Sequence, residues 1–168
     1  MSKKTAILYS FHTQKSKKVS EKIIEAFGKS KIEAVNAEEV NKETLEKYDN
    51  FILSAPTWFD GELPNYWDEF VPDLEEMDLK GKKFAIFGLG DQKSYSENFC
   101  DAIGILAGII EDCGGEIIGH TSTEGYNFES SRAQRSDKFV GLPLDQENQA
   151  RLTNNRIKNW VEDLKKAF

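Results

Sequence analysis

Three short stretches carry residue types whose spacing could do chemistry. The first, SFHTQKS over Ser10 to Ser16, follows the apolar run TAILY and precedes an amphipathic segment. A strand-to-helix junction leaves backbone N–H groups without intrahelical partners, and such groups bind anions. The hydroxyls of Ser10, Thr13 and Ser16 add donors, and Lys15, Lys17 and Lys18 add positive charge. A phosphate is the candidate ligand group, yet read alone the stretch matches no nucleotide motif well, and Lys17 and Lys18 are equally readable as a solvated helix face. The other two stretches, PTWFDGELP and GLGDQKSYSENF, each set a large aromatic residue among turn formers, Trp58 in one and Tyr95 in the other. Two aromatics on neighbouring loops can clamp a flat ring, each contact adding about 0.5–1.5 kcal/mol beyond the area it buries. On spacing alone, both are equally readable as ordinary rim aromatics, whereas Trp67 and Trp160 fall on apolar helix faces and read as core.

The elements that must position these loops are legible from periodicity. Apolar runs rich in β-branched residues recur at Thr5–Tyr9, Ile32–Val35, Asn50–Ala55, Lys83–Gly88 and Glu116–Gly119. Helical stripes lie between most of them: Val19, Ile23, Ala26 and Phe27; Trp67, Phe70, Val71 and Leu74; Phe99, Ile103, Leu106 and Ile110; and finally Ile157, Trp160, Val161 and Leu164. A shorter helix is expected over Lys42–Tyr48, and Gly114 suits a helix C-terminus. Strands alternating with helices predict an α/β fold with a parallel sheet. In such a sheet the carboxyl ends of all strands share one edge, where ligands bind at the point of reversed strand order. The three loops follow strands one, three and four, so they converge there. Residues 121–137, TSTEGYNFESSRAQRSD, show no period, and KFVGLPL behind them reads as another strand or the resumption of an interrupted one. An irregular stretch of that length is usually functional.

Bulk composition narrows the function classes. The chain has 168 residues, 39% of them hydrophobic, enough for one domain over residues 1–168. Its formal charge of -7 argues against a nucleic-acid surface and favours basic partners. No apolar run reaches membrane-spanning length, and the N-terminus has no signal-peptide pattern, so a soluble, cytoplasmic protein is expected. Cys100 and Cys113 have neither CxxC spacing nor a histidine cluster, which ranks metal binding and disulfide chemistry low. The GxxxxGK[ST] motif of nucleotide triphosphatases is absent. A phosphoacceptor receiver would need an acid at the tip of strand three, and FILSAPT has none.

Four stretches together, APTWFDGELPNYWDEF, FGLGDQKSYSENFCDAIGIL, TSTEGYNFESS and KFVGLPLDQENQARLTNNRIKNWVEDLK, resemble the long-chain members of the flavodoxin family in order and spacing from Lys4 to Phe168. The resemblance implies a flavodoxin-like three-layer sandwich, with helices on both faces of a five-stranded parallel sheet ordered 2-1-3-4-5. Strand five would be split by the insertion at about 121–137. It implies one non-covalent FMN and electron transfer in place of substrate turnover. By matching position, Trp58 and Tyr95 would stack on the flavin ring, Thr57 would touch the ribityl region with Pro56 beside it among the cofactor-binding residues, and Phe59 and Gly61 would supply the turn that family members flip between redox states. Gly90, Asp91, Asn98 and Phe99 would line the pyrimidine side; Leu89 and Cys100 count among the cofactor-binding residues, Cys100 as a small packed residue near the ribityl or pyrimidine edge with no chemistry of its own. The phosphate would sit on Ser10, Phe11, His12, Thr13, Gln14, Lys15 and Ser16.

That last loop departs from the family pattern T/S-x-T-G-x-T. Phe11 replaces a hydroxyl, and Gln14 replaces a glycine that eases close backbone approach. Neither change removes a backbone N–H, so the anion site is expected to persist, with Gln14 avoiding the left-handed region or adopting it at some strain. Asp60, Glu62, Asp91, Glu97 and Asp101 crowd the flavin-facing loops, which predicts a low potential and steering of basic-surfaced reductase and acceptor enzymes toward a monomeric carrier. Two other functions remain open from the residues: an FMN-dependent NAD(P)H or quinone reductase, and a binding module that has lost its flavin.

Overall fold

The computed structural model describes residues 3–58 and 60–168. Strand β1 (Thr5–Tyr9) leads into helix α1 (Gln14–Phe27), then β2 (Glu33–Asn36), the short α2 (Lys42–Lys47), β3 (Asn50–Ser54) and α3 (Asn65–Glu75). Next come β4 (Lys83–Leu89), α4 (Asp101–Asp112) and β5 (Glu116–Ile118). The main sheet is parallel in the order β2-β1-β3-β4-β5. Beyond β5 the chain leaves the sheet and forms a small antiparallel one from β6 (Thr121–Ser122), β7 (Gln134–Arg135) and β8 (Lys138–Phe139), ordered β6-β8-β7. It then returns as β9 (Leu142–Leu144) and closes with α5 (Thr153–Ala167).

The fifth lane of the sheet is therefore filled twice. β5 pairs with Lys83–Ala85 of β4, and β9 pairs with Phe87–Leu89 of the same strand. The insertion between them is more regular than its lack of period predicted. Its strands are only two residues long, too short for an alternation to register.

Strand residues sort by period two into two cores. Ile7, Ile52, Ala85 and Phe87 face Val19 and Ile23 of α1 and Ile157, Trp160 and Leu164 of α5. Leu8, Phe51, Leu53, Phe84 and Ile86 face Trp67 and Phe70 of α3 and Ile103, Leu106 and Ile110 of α4. Both faces of the sheet are covered, which is why β1 and β3 are buried at every position. Gly114 closes α4 as expected: with φ +92 it lets its own N–H reach the Glu111 carbonyl at 3.0 Å and the Gly115 N–H reach Ile110 at 3.0 Å. Phe99, read as the start of that helical stripe, precedes it, because Cys100 at φ 52 breaks the helical path just before Asp101. No helix among the described residues is long and apolar enough to cross a membrane.

Candidate functional site

The segments after β1, β3 and β4 do converge at the carboxyl edge of the sheet, around a cleft of about 310 Å³. Thr13, Lys15 and Ser16 line it from the first loop, Pro56 and Thr57 from the second, and Leu89, Gly90, Asp91 and Tyr95 from the third. A fourth segment, Gln146 and Glu147 behind β9, completes the wall.

The first loop splits in two. Its second half serves the cleft: the first intrahelical bond of α1 runs from Lys17 N–H to the Thr13 carbonyl at 2.9 Å, so the amides of Gln14, Lys15 and Ser16 point out of the helix end. The Ser16 hydroxyl, in a residue 1% exposed, has no hydrogen-bond partner among the described residues. A buried hydroxyl without a partner costs about 1–3 kcal/mol, so this donor is suited to an acceptor in the cleft that Ser16 lines. The first half faces elsewhere. Ser10 is fully buried, donates to the Glu38 carboxylate and accepts from Thr13 Oγ1 at 3.1 Å. That hydroxyl, with His12 Nδ1 at 3.1 Å from Glu38, holds the Glu38 carboxyl below its ordinary range. Phe11 is an exposed ring packed on Tyr9, with centroids 4.9 Å apart, and its N–H donates to Asn36 Oδ1 at 3.3 Å. The side chains of Ser10, Phe11 and His12 therefore do not wall the cleft. Gln14 is the exposed first residue of α1, and its φ is not positive, so the strain anticipated where a glycine was expected does not arise.

The second loop is closed by a reciprocal pair of backbone bonds, Trp58 N–H to the Glu62 carbonyl at 2.9 Å and Glu62 N–H to Trp58 at 2.7 Å. Trp58 is half-buried and edge-on to Tyr66, with rings 6.1 Å apart at 89°. Thr57 Oγ1 accepts from the Ala102 N–H at 3.1 Å, tying this loop to the start of α4. Phe59, expected to carry the flipping peptide, lies outside the described residues, and Gly61 holds φ +90 beside Asp101 and Asn98.

In the third loop Tyr95 is half exposed on the cleft. Burial alone would raise the Asp91 carboxyl, but bonds from the Ser94 and Lys93 amides at 3.0 Å each and from Asn148 Nδ2 at 2.8 Å hold it below its ordinary value. Asn98 donates to the Asp60 carbonyl at 3.4 Å and lies outside the cleft wall. Phe99 and Cys100 are fully buried. Phe99 packs on Tyr126, Phe128 and Phe139, and burial pushes the Cys100 thiol well up, so both side chains belong to the core and only their backbone could face a ligand. Two of the five loop acids are likewise no solvated surface: Asp91 is tied as described, and Asp101, 4% exposed, accepts the Arg132 N–H at 2.8 Å.

The insertion lies along this third loop. Phe99 N–H bonds the Ser130 carbonyl at 3.2 Å, Glu129 and Ser130 N–H both bond Ser96 at 3.0 Å, and Asn127 N–H bonds Gln92 Oε1 at 2.6 Å. Sequence reasoning missed Gln146 and Glu147, although the signal existed. KFVGLPL was readable as the resumption of strand five, so the segment after it had to reach the same sheet edge as the other three. Among the described residues no cluster of His, Cys, Asp and Glu could hold a metal ion.

The flavodoxin family model matches residues 7–160. The chain belongs to the flavodoxin family. It is 43% identical over 168 residues to a flavodoxin of Nostoc, spanning 100% of this chain and 99% of that one. To flavodoxin 1 of Escherichia coli it is 41% identical over 161 residues, 95% of this chain and 92% of the relative. Among solved structures, Fusobacterium nucleatum flavodoxin bound to flavin mononucleotide superposes with a TM-score of 0.93 at 35% identity, covering 99% of each chain. Oxidised flavodoxin 2 of Bacillus cereus reaches 0.73 at 26% identity, over 98% of this chain and 99% of that one. The order of strands and the doubly filled fifth lane thus sit within a flavodoxin-family fold, as the resemblance implied.

Proposed function

We propose that the chain is an electron carrier that holds one non-covalent FMN in the cleft. The observation that carries this is the orphaned Ser16 hydroxyl beside the free amides of α1. A dianionic phosphate there would satisfy a buried donor, the helix-end N–H groups and the positive end of the helix dipole together. Membership of the family and the FMN-bound relative support the same reading. FMN, when bound, accepts and returns electrons one at a time or in pairs.

The chain's own part is to bind, orient and shield. Thr13, Ser16 and the α1 amides would hold the phosphate, Pro56 and Thr57 would flank the ribityl chain, and Tyr95 and Trp58 would cover the ring faces. Leu89, Gly90 and Asp91 would border the pyrimidine edge. Acids around the exposed rim, Asp60, Glu62 and Glu97, disfavour added negative charge and so push reduction to low potential. The same field attracts basic-surfaced reductase and acceptor proteins, at rates that fall as salt rises. The carrier works as a cytoplasmic monomer of one domain.

A visible spectrum of the purified protein tests the cofactor: flavin bands support it, and a colourless protein that refuses added FMN overturns it. Ser16→Ala weakens FMN roughly tenfold or more, the loss of a hydrogen bond to a charged group, while riboflavin binding is unchanged. Equal losses for both flavins would show that Ser16 does not meet the phosphate. Gln14→Gly, by contrast, leaves FMN affinity within about twofold, because Gln14 already has ordinary helical geometry, and lowers stability by about 0.5–1 kcal/mol through backbone entropy. A titration showing a larger loss of affinity would make the Gln14 side chain a ligand.

A further inference from the structure

The phosphate end of the cleft holds a charged contact that the flavin reading does not use. Lys15, second residue of α1, reaches across to the Glu147 carboxylate, a partner 132 residues away in sequence. Both line the cleft. Of the described residues in its wall, Lys15 is the only cation, against the carboxylates of Asp91 and Glu147. The Glu147 bond raises the Lys15 ammonium above its ordinary value, with a smaller push from Asp91.

Glu147 is held in place from below. The fully buried Asp145 carboxylate accepts the Glu147 N–H at 3.1 Å, the Asn148 N–H at 3.0 Å and Asn148 Nδ2 at 2.8 Å. Gln146, between them, accepts from the Thr153 hydroxyl at the start of α5. The segment that carries Glu147 is therefore anchored to both the core and α5, and its carboxylate bonds Lys15 in the same cleft that the unpartnered Ser16 lines.

We propose that Glu147 sets the affinity of this site for phosphate-bearing ligands by holding Lys15. A phosphate and the Glu147 carboxylate compete for one ammonium, and while Glu147 engages it the cleft offers an incoming dianion no free cation. The chain thereby limits its preference for FMN over the unphosphorylated flavin. This rests on the flavin reading above. The side chains are 68% and 52% exposed, so the effect is modest and sensitive to salt.

The test titrates the full chain, stripped of flavin, with FMN and with riboflavin, at about 0.01 M and about 1 M salt, where the screening length falls from roughly 30 to 3 Å. Glu147→Gln tightens FMN by roughly two- to fivefold at low salt, leaves riboflavin unchanged, and loses its advantage at high salt. In a Lys15→Gln background most of the gain disappears, because Glu147 acts through Lys15. Glu147→Ala gives the same result should the amide fail to fold. The proposal is overturned if Glu147→Gln leaves FMN affinity unchanged or weakens it, if riboflavin gains equally, or if the full gain survives without Lys15. A parent chain that binds neither flavin overturns the flavin reading and this inference with it. A parent that binds FMN while Glu147→Gln brings no phosphate-specific gain overturns this inference alone.

Discussion

Asp145→Ala lowers the free energy of unfolding by about 3–5 kcal/mol, measured by urea denaturation of the flavin-free chain. The size follows from what the carboxylate serves. Asp145 is 0% exposed, and besides the Glu147 and Asn148 donors it accepts the Gln92 N–H at 3.1 Å and Gln92 Nε2 at 2.8 Å. Alanine leaves these donors facing a void. Gln92 in turn accepts the Asn127 N–H, so one side chain joins the segment after β9, the loop that carries Tyr95 and the insertion. The variant therefore loses FMN affinity as well as stability, because the cleft wall loosens on two sides. A loss of stability below about 1 kcal/mol would show that water replaces the carboxylate and that the loops are held by other contacts.

Gly104→Ala destabilises the protein by about 1–3 kcal/mol, while Gly108→Ala, one helical turn further along α4, stabilises it by up to about 1 kcal/mol. Helix propensity alone predicts the same gain at both positions. Tertiary context reverses it at the first. A Cβ at Gly104 would lie 2.1 Å from the Arg132 carbonyl oxygen and 2.7 Å from the Ala133 nitrogen, whereas one at Gly108 meets nothing within 4 Å. The insertion's backbone rests on α4 at Gly104, and a methyl group lifts it. Because the insertion also bonds Ser96 and Phe99, Gly104→Ala should speed hydrogen exchange at the Glu129 and Ser130 amides, and Gly108→Ala should not. Two variants with the same sign would mean that the insertion floats on α4 without being set by it.

Much of the architecture was legible because burial on both faces of a parallel sheet leaves long apolar runs, and covering helices leave stripes. The strands at Thr5–Tyr9 and Asn50–Ser54 and the stripes of α1, α3 and α5 follow from that. The insertion was less legible, since two-residue strands carry no period and its order comes from bonds to Ser96, Gln92 and Asp101 elsewhere in the chain. Phe99 misled for a related reason: it shares a core with the α4 stripe, but the left-handed Cys100 keeps it off the helix, and its ring packs on Tyr126, Phe128 and Phe139.

For the site itself, residue types and their order along the chain determined that a strand-to-helix junction and two loops carrying aromatics share one edge of a parallel sheet, because strand direction alone places them there. The sequence also determined the family, through motifs that recur in order. Only the tertiary structure decided which loop residues face the cleft. Ser16 turns inward without a partner while Ser10, of the same chemistry, is taken by Glu38. Glu147 meets Lys15 only because β9 rejoins the sheet beside β4. A side chain's partners depend on contacts far away in sequence, and no local pattern encodes them.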